Sequence, residues 1–304
     1  MDPRYIWRVL GYVQIVLCLL GIIGNAISVY VLSQMKSKSL RLLKYLNMVD
    51  IVLLAMVCTW VSMAAFMSEG FQFPLFLNIV FLCTGALIIV VQTFEAYLTV
   101  LVAIVRCVAV AMPFKFTTCM RDSVQNKLLI ASAVFSLLFN LPDILVQHLT
   151  SPHKWISHFS VYFQQIFCKF LPILAIVICN IILVVSRCRM NSLKGQDNQC
   201  GSPNGRHGRS AFHLTCLVLA ITAMFIATNG SFGVVYLCLL ISPTVTELVA
   251  YIGRFSMLMI IINSATNFIF YCLIGSDFRT TLVSLCKKKP SSARRNKTMS
   301  VSTV

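Results

Sequence analysis

The chain has 304 residues, of which 58% are hydrophobic and only 11% are charged, and its mean hydropathy is +0.85. This composition excludes an ordinary soluble domain, in which about 25% of the residues are charged. A stretch of about 20 mostly apolar residues can cross a bilayer. The sequence therefore predicts an all-α membrane protein, a seven-transmembrane helix bundle with spans at 9–34, 43–66, 76–111, 128–147, 162–186, 211–241 and 249–274.

Basic residues are distributed unevenly between the two sides of these spans. The formal net charge is +16, and short cytoplasmic loops normally hold the excess of Lys and Arg. We therefore expect an extracellular N-terminus, a cytoplasmic C-terminus and attraction to the anionic lipids of the inner leaflet. A nucleic-acid partner is not needed to explain the charge. Of the 25 Lys and Arg residues, the outer half then holds only Arg4, Arg8, Lys154, Lys169 and Arg254.

Two carboxylic acids lie inside the predicted spans, Asp50 in YLNMVD and Glu95 in VQTFEAYL. Counted at about 1.5 Å per residue from the polar ends of their spans, they and the amides Asn25 and Asn267 lie about 9 to 16 Å deep. All four share one layer in the inner half of the bilayer. Ionisable groups at such a depth are costly and mark functional sites by default.

The seventh span carries a polar stripe, since Asn263, Asn267 and Tyr271 recur every four residues with Ser264 beside them. Two buried carboxylates at one depth cannot both stay ionised without compensation, so either a structural Na⁺ lies between them or one holds a proton. The alternative is a set of interhelical hydrogen bonds that only holds the bundle together. No other cofactor is predicted. We call these residues the polar core: Asn25, Asp50, Glu95, Asn263, Ser264 and Asn267.

Several separated motifs agree with one receptor class. The pieces GIIGNAISVYVL, LNMVD, VRCVAVAMPFKF, FLPILAIVICN and NSATNFIFYCLIGSDFR occur on spans 1, 2, 3, 5 and 7 in the order found in rhodopsin-like (class A) G-protein-coupled receptors. The sequence resembles this class over essentially its whole length. Within the class it is most similar to invertebrate neuropeptide receptors of the FMRFamide-receptor kind, through LFNLPDI at the end of span 4 and the NFIFYCLIG ending of span 7.

The resemblance implies roles for single residues. Arg106 matches the arginine of the family's Asp-Arg-Tyr motif, and Pro113 seven residues later supports this alignment. In the family, that arginine meets a heterotrimeric G protein when span 6 swings outward, and Asn267 and Tyr271 belong to the same switch. The implied function is a plasma-membrane receptor for an extracellular ligand, a short neuropeptide, with arrestin as a further partner. The alternative for Arg106 is a snorkelling arginine that only sets topology.

The departures from the family pattern bear on coupling. Val105 stands where the family has the acid that restrains the arginine, and Cys107 replaces its tyrosine. Loss of a restraint specific to the inactive state shifts the balance toward ligand-free activity. Asn180, Asn229 and Ser231 replace a tyrosine, a tryptophan and a proline of the activation relay. A divergent receptor-like protein without G-protein coupling is therefore an alternative.

The sequence does not decide whether one pair of cysteines forms a disulfide. Most of the 13 cysteines lie inside apolar runs, where a free thiol behaves as a small hydrophobe. The loop between spans 4 and 5 lacks the cysteine that bridges to span 3 in the family. Cys83 on span 3 is left with Cys168 as a distant partner, and the sequence does not determine whether the two can bond.

Ligand pockets of bundles form between helices, here in the outer half. A basic peptide would be held by Asp143 or Glu247, and an acidic group by Lys169 or Arg254. We expect Lys169 to face a cavity, because it lies one turn before Pro172 within span 5. The predicted pocket residues are Asp143, Lys169, Glu247, Tyr251 and Arg254.

A short amphipathic helix is predicted after the seventh span. In GSDFRTTLVSLCKKKP, Phe278, Leu282 and Cys286 have helical spacing and basic residues follow, as in a helix that lies on a leaflet. Cys286 is a palmitoylation candidate. The chain is thus divided into a seven-transmembrane domain, 1–275, and a cytoplasmic helix and tail, 276–304. A PDZ-domain protein could take the C-terminus as an added strand, through Ser302, Thr303 and Val304.

Two other classes of function were weighed from the same residues. No nucleophile, base and orienting group share a face, so an enzyme is not predicted. An ion- or proton-linked transporter could use Asp50 and Glu95 as a relay. The odd number of spans, the absence of an inverted repeat and the lack of charge in the outer half disfavour it.

Overall fold

A computed structural model describes the backbone of residues 3–35, 40–68, 70–112, 120–149, 166–196, 206–241 and 246–287, together with 114, 116, 163 and 164. Within these ranges, side chains are described except at 3–7, 68, 143–149, 190–196, 206–211, 231–241 and 246–254.

Seven long helices and one short helix make up this part of the chain. Each of the long helices is apolar and long enough to cross a membrane, which confirms the predicted seven-helix bundle. The long helices are α1 (Pro3–Gln34), α2 (Arg41–Ser68), α3 (Leu75–Ala111), α4 (Asp122–Leu149), α5 (Leu171–Gln196), α6 (Arg206–Ile241) and α7 (Thr246–Ile274). The short helix α8 (Ser276–Lys287) follows, and a π-helical turn that the sequence did not predict, Ile166–Phe170, leads into α5.

Helix α3 lies at the centre of the bundle, since it contacts α2, α4, α5 and α6. Helix α1 packs on α2 and α7, and α6 packs on α7. We call the end of the bundle at which α1 begins the N-terminal end, and the end that carries α8 the C-terminal end. Arg106, near the end of α3, therefore lies toward the C-terminal end.

The surface of the bundle is apolar and much of its interior is polar. Leu20, Leu138, Ile181 and Leu273 are exposed on four different helices, whereas Asp50 is completely buried. Polar side chains in membrane-spanning helices face the bundle interior, where partners replace water. The distribution is that of a protein surrounded by hydrocarbon.

Helices α1, α2 and α7 approach one another closely at Gly21. A Cβ atom at this position would lie 2.7 Å from Leu54 Cδ1 and 2.8 Å from Ala265 Cβ. Small residues allow such close approach in membrane bundles, where van der Waals packing drives helix association. The contact holds α7, with its polar stripe, against α1 and α2.

The turn from α7 into α8 is equally tight. A Cβ atom on Gly275 would lie 2.6 Å from the Tyr271 carbonyl oxygen. Arg279 Nη1 donates to the carbonyl oxygens of Cys272 at 3.3 Å and Leu273 at 2.7 Å, which caps the end of α7. Phe278 is buried against the bundle while Arg279 and Thr280 are exposed, so the predicted amphipathic helix is confirmed.

Candidate functional site

The two membrane-embedded carboxyl groups are both held by amides of α7. Asn267 Nδ2 donates to Asp50 Oδ2 at 2.6 Å, and Asn263 Nδ2 donates to Glu95 Oε1 at 2.7 Å. All four side chains are buried. Residues four apart lie on one helix face, so α7 can hold a carboxyl of α2 and a carboxyl of α3 side by side.

Several oxygen atoms around Asp50 remain unsatisfied. Asp50 Oδ1 and Asn25 Oδ1 are buried and accept no hydrogen bond from any described residue. The Ser264 hydroxyl interacts with the Asp50 carboxyl but does not reach hydrogen-bond geometry. Asn25 is fixed in this place because its Nδ2 donates to the Ser264 carbonyl oxygen at 2.8 Å. A buried acceptor without a donor is costly, so this cluster has the capacity to bind a further group.

The interior also contains a cation. Lys169, on the π-helical turn, has only 8% of its surface exposed, and its ammonium attracts the Glu95 carboxylate. Lys169 thus lies in the bundle interior, and its place in a ligand pocket stays a prediction. The Asp50 and Glu95 carboxyl groups are close enough for their charges to repel each other. Two acids and one base near each other leave one negative charge to be balanced by a proton or a cation.

A chain of weaker hydrogen bonds extends the polar core to α6. Thr228 Oγ1 donates to Asn263 Oδ1 at 3.4 Å, and Asn229 Nδ2 donates to Thr228 Oγ1 at 3.4 Å. Gln92 Nε2 of α3 donates to Asn229 Oδ1 at 3.5 Å. Asn229, which stands where the resembled family has a tryptophan, is therefore linked by polar groups to Glu95. Gln92 and Thr228 were not predicted from the sequence, although both lie at a depth close to that of the polar core.

Helix α6 closes over the end of α3 that carries Arg106. Arg106 is buried, with 8% of its surface exposed. In one apolar cluster beside it, Leu217 and Val218 of α6 pack with Val102 and Val105 of α3. Helix α6 therefore packs on α3 next to the buried arginine.

Tyr271 is completely buried at the C-terminal end of the same cluster. Its hydroxyl accepts a hydrogen bond from Asn47 Nδ2 at 2.7 Å, and its ring stacks on Phe278 with the centroids 5.3 Å apart. Tyr271 therefore connects α7 to α2 and α8.

An aromatic group on the other side of α3 was not predicted from the sequence. Phe139 of α4 lies 4.0 Å from Phe135, 5.3 Å from Phe163 and 5.4 Å from Phe167, measured between ring centroids. Tyr97 of α3 lies 4.8 Å from Phe135, and its hydroxyl donates to the Phe167 carbonyl oxygen at 2.7 Å. The sequence signal for this group is the spacing of four residues within two phenylalanine pairs, Phe135 with Phe139 and Phe163 with Phe167. We call Tyr97, Phe135, Phe139, Phe163 and Phe167 the aromatic group.

Amides reinforce the aromatic group. Asn140 Nδ2 donates to Thr93 Oγ1 at 3.1 Å, and Gln164 Nε2 donates to Asn140 Oδ1 at 2.8 Å. No disulfide joins Cys83 to Cys168, so the bond that the sequence left open is not formed between them. Side-chain packing and these amides join α3, α4 and the π-helical turn instead.

Cys286 is exposed on α8, as acylation would require. The remaining predicted residues lie outside the residues or side chains that the structure describes, and they are Pro113, Asp143, Glu247, Tyr251, Arg254, Ser302, Thr303 and Val304.

Two comparisons with known proteins bear on this geometry. The family model for the serpentine type 7TM GPCR chemoreceptor Srw matches residues 146–289. The chain is 28% identical over 278 residues to somatostatin receptor type 4 of Rattus norvegicus, covering 86% of this chain and 68% of that receptor. With the seven apolar helices, the matches support a G-protein-coupled receptor, a membrane receptor and not an enzyme. They support this broad class and not the narrower resemblance to FMRFamide receptors.

Proposed function

We propose that the chain is a rhodopsin-like (class A) receptor of the plasma membrane that binds an extracellular neuropeptide and activates a heterotrimeric G protein through Arg106. The observation that carries the proposal is the burial of Arg106 at the C-terminal end of α3, beside the apolar cluster in which α3 packs on α6. A permanently charged side chain in this place has a use if α6 can swing away and expose it. Val105 leaves it without the neighbouring acid of the resembled family, which favours ligand-free activity.

The proposed orientation places the N-terminus outside the cell. The C-terminal end of the bundle carries Arg41, Lys127, Arg187 and Lys287, and such an excess of basic residues favours the cytoplasmic side. An epitope tag at the N-terminus should then bind antibody on intact cells, and a tag at the C-terminus should bind only after permeabilisation. The opposite pattern would overturn the proposed topology.

A short neuropeptide is the proposed ligand on two grounds. The sequence resembles FMRFamide-type receptors, and the relative named as a somatostatin receptor agrees with an extracellular ligand of this kind. Asp143 and Glu247 would attract a basic, amidated peptide at the N-terminal end. Arrestin and a PDZ-domain protein at Ser302, Thr303 and Val304 remain proposed partners on the cytoplasmic side.

The experiment that tests the coupling measures ligand-free G-protein activation in cells. Wild type is compared with Arg106→Ala at matched surface level, and Arg121→Ala, which alters an exposed arginine outside the spans, is the control. We expect a signal that Arg106→Ala abolishes and Arg121→Ala retains. A signal unaffected by Arg106→Ala would contradict the proposed role of the arginine. Peptide binding without any G-protein signal would favour the divergent, uncoupled receptor.

We also propose that the polar core binds one Na⁺. The unsatisfied oxygens of Asn25, Asp50 and Ser264 fit a hard cation, which prefers carboxylate, carbonyl and hydroxyl ligands. A single positive charge would balance the negative charge left after Lys169 is paired with Glu95. The melting temperature should rise with NaCl more than with choline chloride of equal ionic strength, and Asp50→Asn should remove the difference. An equal response to both salts would argue for a proton or for hydrogen bonds alone.

A further inference from the structure

Helices α5 and α6 are joined by polar contacts at two levels of the bundle. At the C-terminal end, Arg187 Nη2 donates to Thr215 Oγ1 at 3.0 Å. The Arg187 guanidinium also lies over the ring of Phe212, 5.7 Å from its centroid. About two turns deeper, Asn180 Nδ2 donates to Thr222 Oγ1 at 3.0 Å. The first pair lies close to the membrane end, whereas the second is well inside the spans.

The geometry of the deeper pair permits two hydrogen bonds. Thr222 Oγ1 also lies 3.1 Å from Asn180 Oδ1 and 2.8 Å from the Val218 carbonyl oxygen. A hydroxyl has one proton and two lone pairs, so it can accept from the amide while it donates to one of these oxygens. Thr222 is completely buried, where no water competes for the amide. Separation of the helices would take this buried hydrogen-bond partner away from the Asn180 amide of α5.

These contacts fix the part of α6 that covers Arg106. Leu217, Val218 and Ile221, which pack in the cluster with α3, lie between Thr215 and Thr222 in the sequence. The two threonines therefore bracket the segment that packs on α3, and each is hydrogen-bonded to α5. Movement of α6 away from both α3 and α5 must break both attachments.

We infer that Asn180, Arg187, Phe212, Thr215 and Thr222 form an α5–α6 clasp that holds the receptor closed over Arg106. The clasp supplies from α5 a restraint that Val105 cannot supply from α3. This inference rests on the proposed function, in which α6 must move for signalling. Asn180 and Arg187 act as positioning residues for α6.

The test uses substitutions that remove hydroxyl groups while keeping side-chain shape. Thr215→Val with Thr222→Val breaks the hydrogen bonds of both levels. Thr215→Ser with Thr222→Ser keeps them and serves as the rescue control. Thr59→Val is a second control, because the Thr59 hydroxyl donates to Ala55 of its own helix. Elution as a single folded species from size-exclusion chromatography shows that each variant remains folded.

The first measurement is the distance between two spin labels, obtained by double electron–electron resonance on the protein in nanodiscs without G protein. Labels at Asn126→Cys on α4 and His213→Cys on α6 are introduced after replacement of the accessible native cysteines. An interhelical hydrogen bond in a membrane protein changes an equilibrium about threefold, so we expect the double valine variant to raise the ratio of long to short distances about tenfold. The serine and Thr59→Val variants should match wild type. An unchanged distance distribution in the double valine variant would overturn the clasp.

Ligand-free G-protein activation of the same variants separates this inference from the proposed function. A longer distance between the labels together with increased Arg106-dependent signalling would support both the clasp and the coupling. Opening without any signal would support the clasp and contradict the coupling. Increased Arg106-dependent signalling without opening would contradict the clasp and leave the coupling intact.

Discussion

Glu95 and Tyr97 are two residues apart on α3, yet they belong to opposite kinds of interior. Glu95 faces the polar core, where a few short hydrogen bonds join α2, α3 and α7 and several oxygens remain unsatisfied. Tyr97 joins the aromatic group, where stacked rings fill the space between α3, α4 and the π-helical turn. The contrast teaches that one helix can contribute to a polar region with unsatisfied oxygens, which could bind a further group, and to a region whose side chains already have partners.

The two regions should respond differently to mutation. Lipid tails are as apolar as protein side chains, so helix association in a bilayer depends on packing and interhelical hydrogen bonds. Stacked aromatic pairs contribute about 0.5–1.5 kcal/mol each beyond the area they bury. An interhelical hydrogen bond in a membrane protein averages about 0.6 kcal/mol. We therefore expect the aromatic group to govern stability and the polar core to govern the conformational state.

The largest loss of stability is expected for Phe139→Ala. Phe139 is half-buried and contacts three other rings, so its truncation loses three aromatic pairs worth about 0.5–1.5 kcal/mol each, in addition to the area they bury. The free energy of unfolding in mixed micelles measures this loss. Leu138→Ala, which alters an exposed neighbour, is the control and should cost much less. Equal losses of unfolding free energy in the two variants would show that the aromatic group does not contribute more to stability than an exposed side chain.

A smaller loss is expected where the helices of the polar core are crowded. Gly21→Ala places a methyl group 2.7 Å from Leu54 Cδ1, and overpacking of this kind costs about 1–3 kcal/mol. Gly11→Ala is a matched control on the same helix, since a Cβ there meets no atom within 4 Å. If both alanine variants unfold alike in mixed micelles, the close approach of α1, α2 and α7 is not a constraint.

The amides beside the aromatic group come next. Asn140→Leu removes the hydrogen bonds to Thr93 and Gln164 and should cost about 1–2 kcal/mol. The melting temperature should fall less than for Phe139→Ala. A larger fall would mean that hydrogen bonds and not ring packing hold this side of α3, which would break the comparison.

The smallest effect on stability is expected for Tyr271→Phe. The change removes one hydrogen bond from Asn47 and keeps the stacking on Phe278, so it should cost about 0.6 kcal/mol. Tyr30→Phe, on the exposed surface of α1, is the control for removal of a hydroxyl. A melting temperature as low as that of Phe139→Ala would contradict the division between the two regions.

Hydrophobic length predicted the fold because a span must match the thickness of the bilayer. It did not predict that α4 begins at Asp122, six residues before the predicted span, since helices continue past the hydrocarbon region into polar segments. The Arg41 guanidinium, 3.6 Å from the Asp122 carboxylate, fixes that polar end. Such end contacts depend on tertiary packing and leave no apolar signal in the sequence.

For the polar core, the sequence indicated depth but not partners. Counting residues placed Asp50 and Glu95 in one layer, whereas the assignment of Asn267 to Asp50 and of Asn263 to Glu95 needed the rotation of each helix. The π-helical turn that carries Lys169 was not foreseen, because such a turn redirects side chains without leaving a recognisable pattern in the sequence. The aromatic group was missed because phenylalanines in an apolar span look like lipid-facing residues.

The most direct test of this division compares Asn263→Ala with Phe139→Leu by two measurements on each variant. One is the melting temperature of the purified protein, and the other is ligand-free G-protein activation per receptor at the cell surface. We predict that Asn263→Ala changes the activation per receptor at least threefold with a small change in melting temperature. Phe139→Leu should lower the melting temperature and leave the activation per receptor unchanged. The opposite pattern, or a parallel change of both quantities in both variants, would contradict the account.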